Sequence, residues 1–192
     1  SLPTSNLGAN ANYIVNPPGP TTVAVVTVNA AAAQRSRLTT LELIFNNPVN
    51  AMSMNAADAI TLTRTSGGAP VTIRTGATGS GGRITVAPAS GMVSILTLTF
   101  DNADGAASSA EVEYGSLADG YWQLAVPSVT YTSLLNGSPL RRLFGDINGD
   151  GTVNGPTDFA QFGNEFGATL AESPFDFNND GTIDGSTDFA AF

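Results

Sequence analysis

A pattern of acidic, amide and glycine residues occurs twice near the end of the 192-residue chain. The first copy spans residues 146–162 and the second spans residues 176–192, and the two agree at 11 of 17 positions. Each copy has Asp, Asn and Asp at positions 1, 3 and 5, Gly at position 6 and Thr at position 7. This internal repeat of oxygen-bearing side chains at alternate positions indicates two metal-binding loops.

A hard cation such as Ca²⁺ binds six to eight oxygen atoms at about 2.3–2.6 Å, and a short loop can supply them from alternate positions. Gly151 and Gly181 lie at position 6, where the chain must turn sharply and a Cβ atom would obstruct the turn. The threonine at position 7 offers its backbone carbonyl, and Asn154 or Asp184 at position 9 offers a direct or water-bridged ligand. The repeat therefore predicts one calcium ion in each loop.

The end of each loop departs from the usual pattern, which places a bidentate acid at position 12. Position 12 is threonine in both copies, and the acid follows at position 13 as Asp158 or Asp188. We interpret the shift as a one-residue insertion that moves the start of the next helix and puts Pro156 at the first helical position, which proline tolerates. Asp158 and Asp188 would then lie in the first helical turn and face the metal. The alternative is that they only complement the helix dipole.

Paired Asp-x-Asn-x-Asp-Gly loops that are each followed by one helix resemble a type I dockerin, a small calcium-binding module at the C-termini of secreted bacterial proteins. The resemblance covers residues 143–192 and implies two calcium ions and a cohesin-like partner. Dockerins typically dock through loop positions 10 and 11 and the following helix. These positions are Gly155-Pro156 and Gly185-Ser186 here, instead of the usual Ser-Thr-like pair. The implied ligand sets are Asp146, Asn148, Asp150, Thr152, Asn154 and Asp158 for one ion, and Asp176, Asn178, Asp180, Thr182, Asp184 and Asp188 for the other.

The composition excludes several classes of active site. The chain has neither cysteine nor histidine. It therefore has no disulfide framework, no thiolate or imidazole zinc site, and no Ser-His or Cys-His pair for nucleophilic catalysis. We accordingly expect a protein that is not an enzyme. The sequence also has no run of about 18 apolar residues, so no membrane span is expected.

The net charge of −9 is concentrated at the C-terminal end. Residues 146–192 contain nine acidic residues and no basic one, whereas residues 1–145 contain seven of each kind. Such an acidic segment stays disordered unless cations neutralise it, and it is too small to fold reliably on its core alone. We therefore expect calcium to drive its folding, and Arg141 and Arg142 to neutralise it at the domain junction. The acidity argues against binding to nucleic acid.

Short runs of alternating apolar and polar residues dominate residues 21–142 and favour an antiparallel β-sandwich. Residues 1–20 are expected to be a linker, and the chain is expected to begin within a longer protein. Asn46-Asn47-Pro48 is expected to end the second predicted strand, Ser36–Phe45. The predicted strands are Val23–Val28, Ser36–Phe45, Ala59–Thr65, Pro70–Arg74, Ile84–Ala87, Val93–Phe100, Glu111–Tyr114, Gly120–Val126 and Val129–Ser133.

Two stretches of this region, Leu43-Ile-Phe-Asn-Asn-Pro-Val49 and Ser116-Leu-Ala-Asp-Gly-Tyr-Trp-Gln-Leu-Ala-Val126, resemble a bacterial immunoglobulin-like repeat. Tandem copies of that domain build the stalks of surface proteins. The expected fold is thus mainly β: an antiparallel immunoglobulin-like β-sandwich over residues 21–142, followed by a small α-helical dockerin-like or EF-hand-like calcium unit.

The calcium unit is predicted to contain a helix at Pro156–Phe166 that stops at Gly167. Its predicted buried stripe is Phe159, Phe162 and Phe166. Phe189 and Phe192 repeat the stripe, but the chain ends where a copy of residues 163–167 would follow. The second helix is therefore expected to be truncated by about one turn.

These features favour a non-catalytic, extracellular pair of modules in which calcium is structural and the C-terminal unit anchors or docks the rest of a larger secreted protein. The alternative is a carbohydrate-binding module, which needs exposed aromatic side chains and could use Tyr114, Tyr121 and Tyr131. Trp122 is expected in the sandwich core, with Tyr121 on the other face of the strand.

Overall fold

The computed structural model describes residues 23–126, 129–131, 139–170 and 173–192. The fold is mainly β, with 38% strand and 14% helix, which confirms the predicted class at this level. The strands form a curled mixed sheet, and a small helical part follows it. The predicted linker, residues 1–20, lies outside the described residues.

The described part of the chain contains eleven strands. The first six are β1 (Val23–Val28), β2 (Thr40–Asn50), β3 (Thr61–Ser66), β4 (Thr72–Thr75), β5 (Gly82–Ala87) and β6 (Met92–Asn102). The others are β7 (Val112–Glu113), β8 (Ser116–Leu117), β9 (Gly120–Val126), β10 (Val129–Tyr131) and β11 (Arg141–Arg142). A single helical turn, α1 (Ala51–Met54), follows β2.

Nine strands form one sheet in the order β1-β2-β6-β5-β4-β3-β9-β10, with β11 paired to β9, while β7 and β8 form a separate pair. The prediction of purely antiparallel pairing is wrong at one place. Strands β4 and β5 are parallel, with Arg74 opposite Arg83 and Thr75 opposite Ile84. No long crossover is needed because β5 begins beside the end of β4, so the short loop between them can span the gap.

The main hydrophobic core is formed by side chains from the strands of this curled sheet. Strands β2 and β6 are neighbours, with Leu41 opposite Leu98 and Leu43 opposite Leu96. All four leucines are fully buried, because alternate residues of a strand point to the same face. The similar apolar patterns of the two predicted strands therefore correspond to one shared core.

The aromatic pair on β9 is divided between core and surface. Trp122 is 1% exposed and donates its Nε1–H to a main-chain carbonyl at 3.1 Å, whereas Tyr121 is 43% exposed. The predicted core position of Trp122 is confirmed. Of the other nominated tyrosines, Tyr114 packs edge-on against Phe177, and the side chain of Tyr131 is outside the described residues.

The predicted end of the second strand at Asn46-Asn47-Pro48 is wrong. Strand β2 continues to Asn50, and its pairing with β6 shifts register between Ile44 and Val49. A proline is tolerated within a strand at such an irregularity, because no regular ladder hydrogen bond is required there.

The C-terminal unit, residues 143–192, contains two short helices. The first begins with a π-helical turn, Gly155–Phe159, and continues as α2 (Ala160–Glu165). The second, α3 (Asp188–Ala191), has four residues and is shorter than the first, as predicted. Gly167 has a φ of +81°, which ends the first helix in the left-handed conformation that favours glycine.

A separate hydrophobic cluster holds the C-terminal unit together. Its buried members are Phe162, Phe175 and Ile183, with Ile147 and Phe192 packed against them. The predicted buried stripe is only partly right, because Phe159 and Phe166 are 45% and 53% exposed. Of the three predicted residues, only Phe162 belongs to this small buried cluster.

Residues 33–37, here named the junction segment, lie between a left-handed turn (Asn29–Ala31) and β2. The side chain of Asn29 connects the left-handed turn to the C-terminal end of this segment and to the start of β2. Its Oδ1 accepts from the main-chain N–H groups of Thr39 (3.0 Å) and Thr40 (3.1 Å), and its Nδ2 donates to the carbonyl of Arg37 (2.6 Å). The segment is thereby held out towards the C-terminal unit.

Candidate metal centre

The two repeats adopt matching loop backbones. Gly151 and Gly181 at position 6 have φ angles of +94° and +85°, a conformation that residues with a Cβ seldom adopt. Position 4 is also left-handed, with a φ of +74° at Gly149 and +58° at Asn179. The sharp turn predicted at position 6 is therefore present in both loops.

Four of the predicted ligands are carboxylates with almost no exposure to solvent. Asp146, Asp158 and Asp188 are 0% exposed and Asp176 is 1% exposed. They are the first and the last acid of each loop, so the structure places a pair of buried carboxylates in both. A buried carboxylate is unfavourable unless hydrogen bonds or a cation compensate for its lost hydration.

The first carboxylate of each loop accepts the main-chain N–H of position 6. The glycine nitrogen lies 3.0 Å from Asp146 Oδ2 in the first loop and 2.8 Å from Asp176 Oδ2 in the second. Asp176 Oδ1 accepts a second main-chain N–H, at 3.1 Å. By contrast, Asp146 Oδ1 is buried and finds no hydrogen-bond donor among the described residues. A buried acceptor without a donor is an exception that needs a physical explanation.

The last acid of each loop accepts hydrogen bonds from the main chain of its own loop. Asp158 accepts the main-chain N–H groups of loop positions 2 and 9, at 3.1 and 2.9 Å. Asp188 accepts the same two groups in the second loop, both at 2.8 Å. A role limited to the helix dipole does not account for a bond to position 2, eleven residues earlier. The geometry therefore favours a carboxylate that faces the loop.

The predicted ligands at positions 3 and 5 lie closer to the surface. Asn148 Nδ2 donates to Asp150 Oδ2 at 2.7 Å, and Asn178 Nδ2 donates to Asp180 Oδ2 at 2.8 Å. These side chains thus bond to each other within the loop. In the described ranges of the chain, no three acidic side chains converge into a ready-made metal cluster.

The residues at positions 7 and 9 are held by bonds within each repeat. The main-chain N–H groups of Thr152 and Thr182 donate to the position 5 aspartates, each at 2.8 Å. Asn154 and Asp184 accept the N–H of position 12 at 3.1 and 3.0 Å. Asn154 therefore caps the helical turn that begins at Gly155, and Asp184 holds the turn that leads into α3.

The pKa values of two acids in the second loop shift in opposite directions. Burial raises the pKa of Asp188 above its usual value; main-chain hydrogen bonds oppose this shift and the charge of Asp176 adds to it. At the more exposed position 9, hydrogen bonds from Thr187 and Ser186 lower the pKa of Asp184 to about 2. Hydrogen bonds thus stabilise the charged form of Asp184, whereas burial disfavours the charged form of Asp188.

The two arginines predicted at the junction have different partners. Arg141 forms a buried ion pair with Asp146, with 2.9 Å between Nη2 and Oδ2. Arg142 instead pairs with Glu113 and Asp119 of the β-sheet part. Neighbouring residues of a strand point to opposite sides, so only one of the two reaches the first loop. The predicted neutralisation of the acidic unit is right for Arg141 and wrong for Arg142.

The junction segment contacts both loops, which hydrophobic periodicity does not reveal. The main-chain N–H of Arg35 donates to the carbonyl of Asp146 at 2.7 Å, and Arg37 Nη1 donates to Asn179 Oδ1 at 2.8 Å. A Cβ atom on Gly149 would lie 2.1 Å from the carbonyl oxygen of Ala33. The difference at position 4 of the repeat, glycine in one copy and asparagine in the other, is the signal that could have located this contact.

Three phenylalanine side chains of the C-terminal unit remain exposed around the buried Phe162. Phe159, Phe166 and Phe189 are 45%, 53% and 49% exposed. Their ring centroids lie 6.1, 5.7 and 5.9 Å from that of Phe162. We name these three residues the phenylalanine patch. A contiguous exposed apolar surface of this kind marks a candidate binding site.

No protein-family model, curated protein or solved structure matches the chain. None of the helices in the described ranges is long and apolar enough to cross a membrane.

Proposed function

We propose that the C-terminal unit is a dockerin-like module that binds two structural calcium ions and is joined to an immunoglobulin-like β-sandwich. The pair has no catalytic role and anchors or docks the rest of a larger secreted protein. Calcium affinity should suit extracellular conditions, with a Kd of about 10⁻⁴ M or lower.

The observation that carries the proposal is the buried Asp146 Oδ1, which lacks a donor among the described residues. The other oxygen of this carboxylate is already bonded to Gly151 N–H and to Arg141. The carboxylate is thus oriented by its own loop and keeps one buried oxygen for another ligand. An anionic oxygen in this state fits a calcium ion, which prefers carboxylate and carbonyl ligands.

The second loop supports the same conclusion through its charge. Asp176 and Asp188 are buried, and neither takes part in the ion pairs of the described residues. Two buried carboxylates in one loop repel each other and have lost hydration. A divalent cation between them would offset both effects.

In a filled loop, the side chains at positions 1, 3, 5 and 13 would supply oxygen ligands, with a carbonyl from position 7 and a direct or water-bridged ligand from position 9. The acids at positions 1 and 13 are already buried. Binding therefore requires chiefly that positions 3 and 5 exchange their mutual hydrogen bonds for metal ligation. The ion would neutralise the loop and connect it to the first turn of the following helix.

The phenylalanine patch is the proposed docking surface. Phe159 and Phe189 are equivalent in the repeat, and each directly follows the last acid of a loop, so calcium would position both rings. The residues at loop positions 10 and 11 are exposed beside them. Because residues 146–192 contain no basic residue, a cohesin-like partner should present an apolar surface with a positively charged rim.

Replacing Phe159 and Phe189 together by serine is expected to weaken binding to a cohesin-like module by at least about thirtyfold, since exposed aromatic anchors carry much of the energy of an interface. The measurement is biolayer interferometry against purified cohesin modules in millimolar calcium and in EGTA. Wild-type binding should require calcium.

The matched control is Met92→Ser, which removes an exposed apolar side chain (67% exposed) from the β-sheet part and should leave binding unchanged. Circular dichroism and calcium titration verify that the double variant still folds and still binds the ions. Undiminished binding of a folded double variant would exclude the patch as the docking surface.

A further inference from the structure

Arg141 places a positive charge next to Asp146, which is a predicted metal ligand of the first loop. The residue lies on β11 opposite Tyr121 of β9, so its position is set by the sheet. Its Nη2 donates to Asp146 Oδ2 at 2.9 Å and to the carbonyl of Gly149 at 2.7 Å. The Arg141 side chain is 7% exposed and that of Asp146 is 0% exposed, so water screens this pair weakly.

Arg35 adds to the positive charge around Asp146. Its guanidinium donates to three main-chain carbonyls of the junction segment and its approach, those of Ala32, Ala33 and Gln34. The main-chain N–H of Arg35 donates to the carbonyl of Asp146 at 2.7 Å, and a Cβ atom on Gly149 would lie 3.7 Å from the Cγ of Arg35. The first loop is therefore next to two guanidinium groups.

The second loop has a different environment. Arg37 reaches it, but bonds to Asn179 at position 4, which is not a predicted ligand. Asp176, the equivalent of Asp146, is oriented by main-chain N–H groups alone in the described contacts. The two loops share their sequence pattern and differ in the charge that the rest of the chain places on position 1.

A hydrogen bond to the outer oxygen of a ligand ordinarily strengthens a metal site by orienting the ligand. In the first loop this orientation is already provided by the N–H of Gly151, as Gly181 provides it in the second. The additional effect of Arg141 is then its charge, which neutralises part of Asp146 and repels a divalent cation. Repulsion should outweigh orientation here.

We infer that Arg141 makes the two calcium sites unequal: the first loop binds calcium more weakly than the second, and the loops fill in the order second, then first. This inference rests on the proposed calcium binding. Its consequence is that the first loop remains attached to the sheet through Arg141 when calcium is scarce, while the second loop responds to calcium first.

The test compares two matched single-loop proteins by isothermal titration with calcium. Asp150→Ala leaves the second loop intact, and Asp180→Ala leaves the first; the replaced residues are equivalent and both exposed. The first loop should bind about tenfold more weakly or worse, because a unit charge close to a divalent ion is strongly repulsive at low dielectric. Adding Arg141→Met to the Asp180→Ala protein should strengthen binding by about the same factor, whereas a purely structural arginine would weaken it on removal.

Arg37→Met in the Asp180→Ala protein is the control for loss of a buried junction arginine and should leave the affinity of the first loop unchanged. Equal affinities in the two single-loop proteins, or weaker binding in a folded Arg141→Met protein, would overturn the inference while calcium binding itself stands. If Arg141→Met does not fold, the comparison of the two single-loop proteins decides. Absence of calcium binding in both would instead reject the proposed function.

Discussion

Saturating calcium is expected to raise the free energy of unfolding of the C-terminal unit by about 5 kcal/mol, from about 2.7 kcal/mol for each loop at a hundredfold excess over its Kd. The reason is that ion binding stabilises only the folded loops, in which the acids at positions 1 and 13 are buried together. The β-sheet part has its own core and should unfold at a nearly unchanged temperature. Thermal unfolding followed by circular dichroism, with hydrogen exchange of residues 144–192, measures both effects in calcium and in EGTA.

The control protein carries Asp150→Ala and Asp180→Ala together, which remove one exposed ligand from each loop without changing the buried core. Its stability should no longer respond to calcium. If EGTA leaves the unfolding of the wild-type C-terminal unit unchanged, calcium is not structural in this protein.

Replacing Trp122 by alanine is expected to lower the free energy of unfolding of the β-sheet part by about 3–5 kcal/mol. The indole is 1% exposed, so its removal leaves a large cavity and an unpaired carbonyl at Ala118. Urea unfolding at equilibrium gives this difference directly.

Tyr121→Ala is the matched control, because the adjacent residue is 43% exposed and its loss should change stability by about 0.5 kcal/mol or less. The same two variants also test whether β9 binds carbohydrate through its exposed face. A Trp122→Ala protein with wild-type stability would contradict the core assignment, whereas loss of glycan binding in a stable Tyr121→Ala protein would favour the carbohydrate-binding alternative.

Local patterns in the sequence were sufficient to predict the turns of the loops and the positions of the main strands. Gly151 and Gly181 adopt the left-handed conformation that position 6 requires, because the constraint arises within a few residues. Leu41 and Leu98 share one core because strand alternation sorts side chains between two faces. The mainly β class follows from many such segments.

Contacts between distant segments could not be predicted in the same way. The parallel pairing of β4 with β5 depends on where each strand begins. The partners of Arg142 depend on which face of the sheet its side chain lies on. The exposure of Phe159 depends on how little of the C-terminal unit is available to cover it. These features arise from the assembled chain, and helical periodicity alone predicted a buried ring.

The number of calcium ions bound per chain is the decisive measurement for the proposed metal centre. Equilibrium dialysis of the wild-type protein against radioactive calcium should give two ions per chain, with one ion in Asp150→Ala, one in Asp180→Ala and none in the double variant. A wild-type protein that binds no calcium at millimolar concentration would exclude both proposed calcium sites.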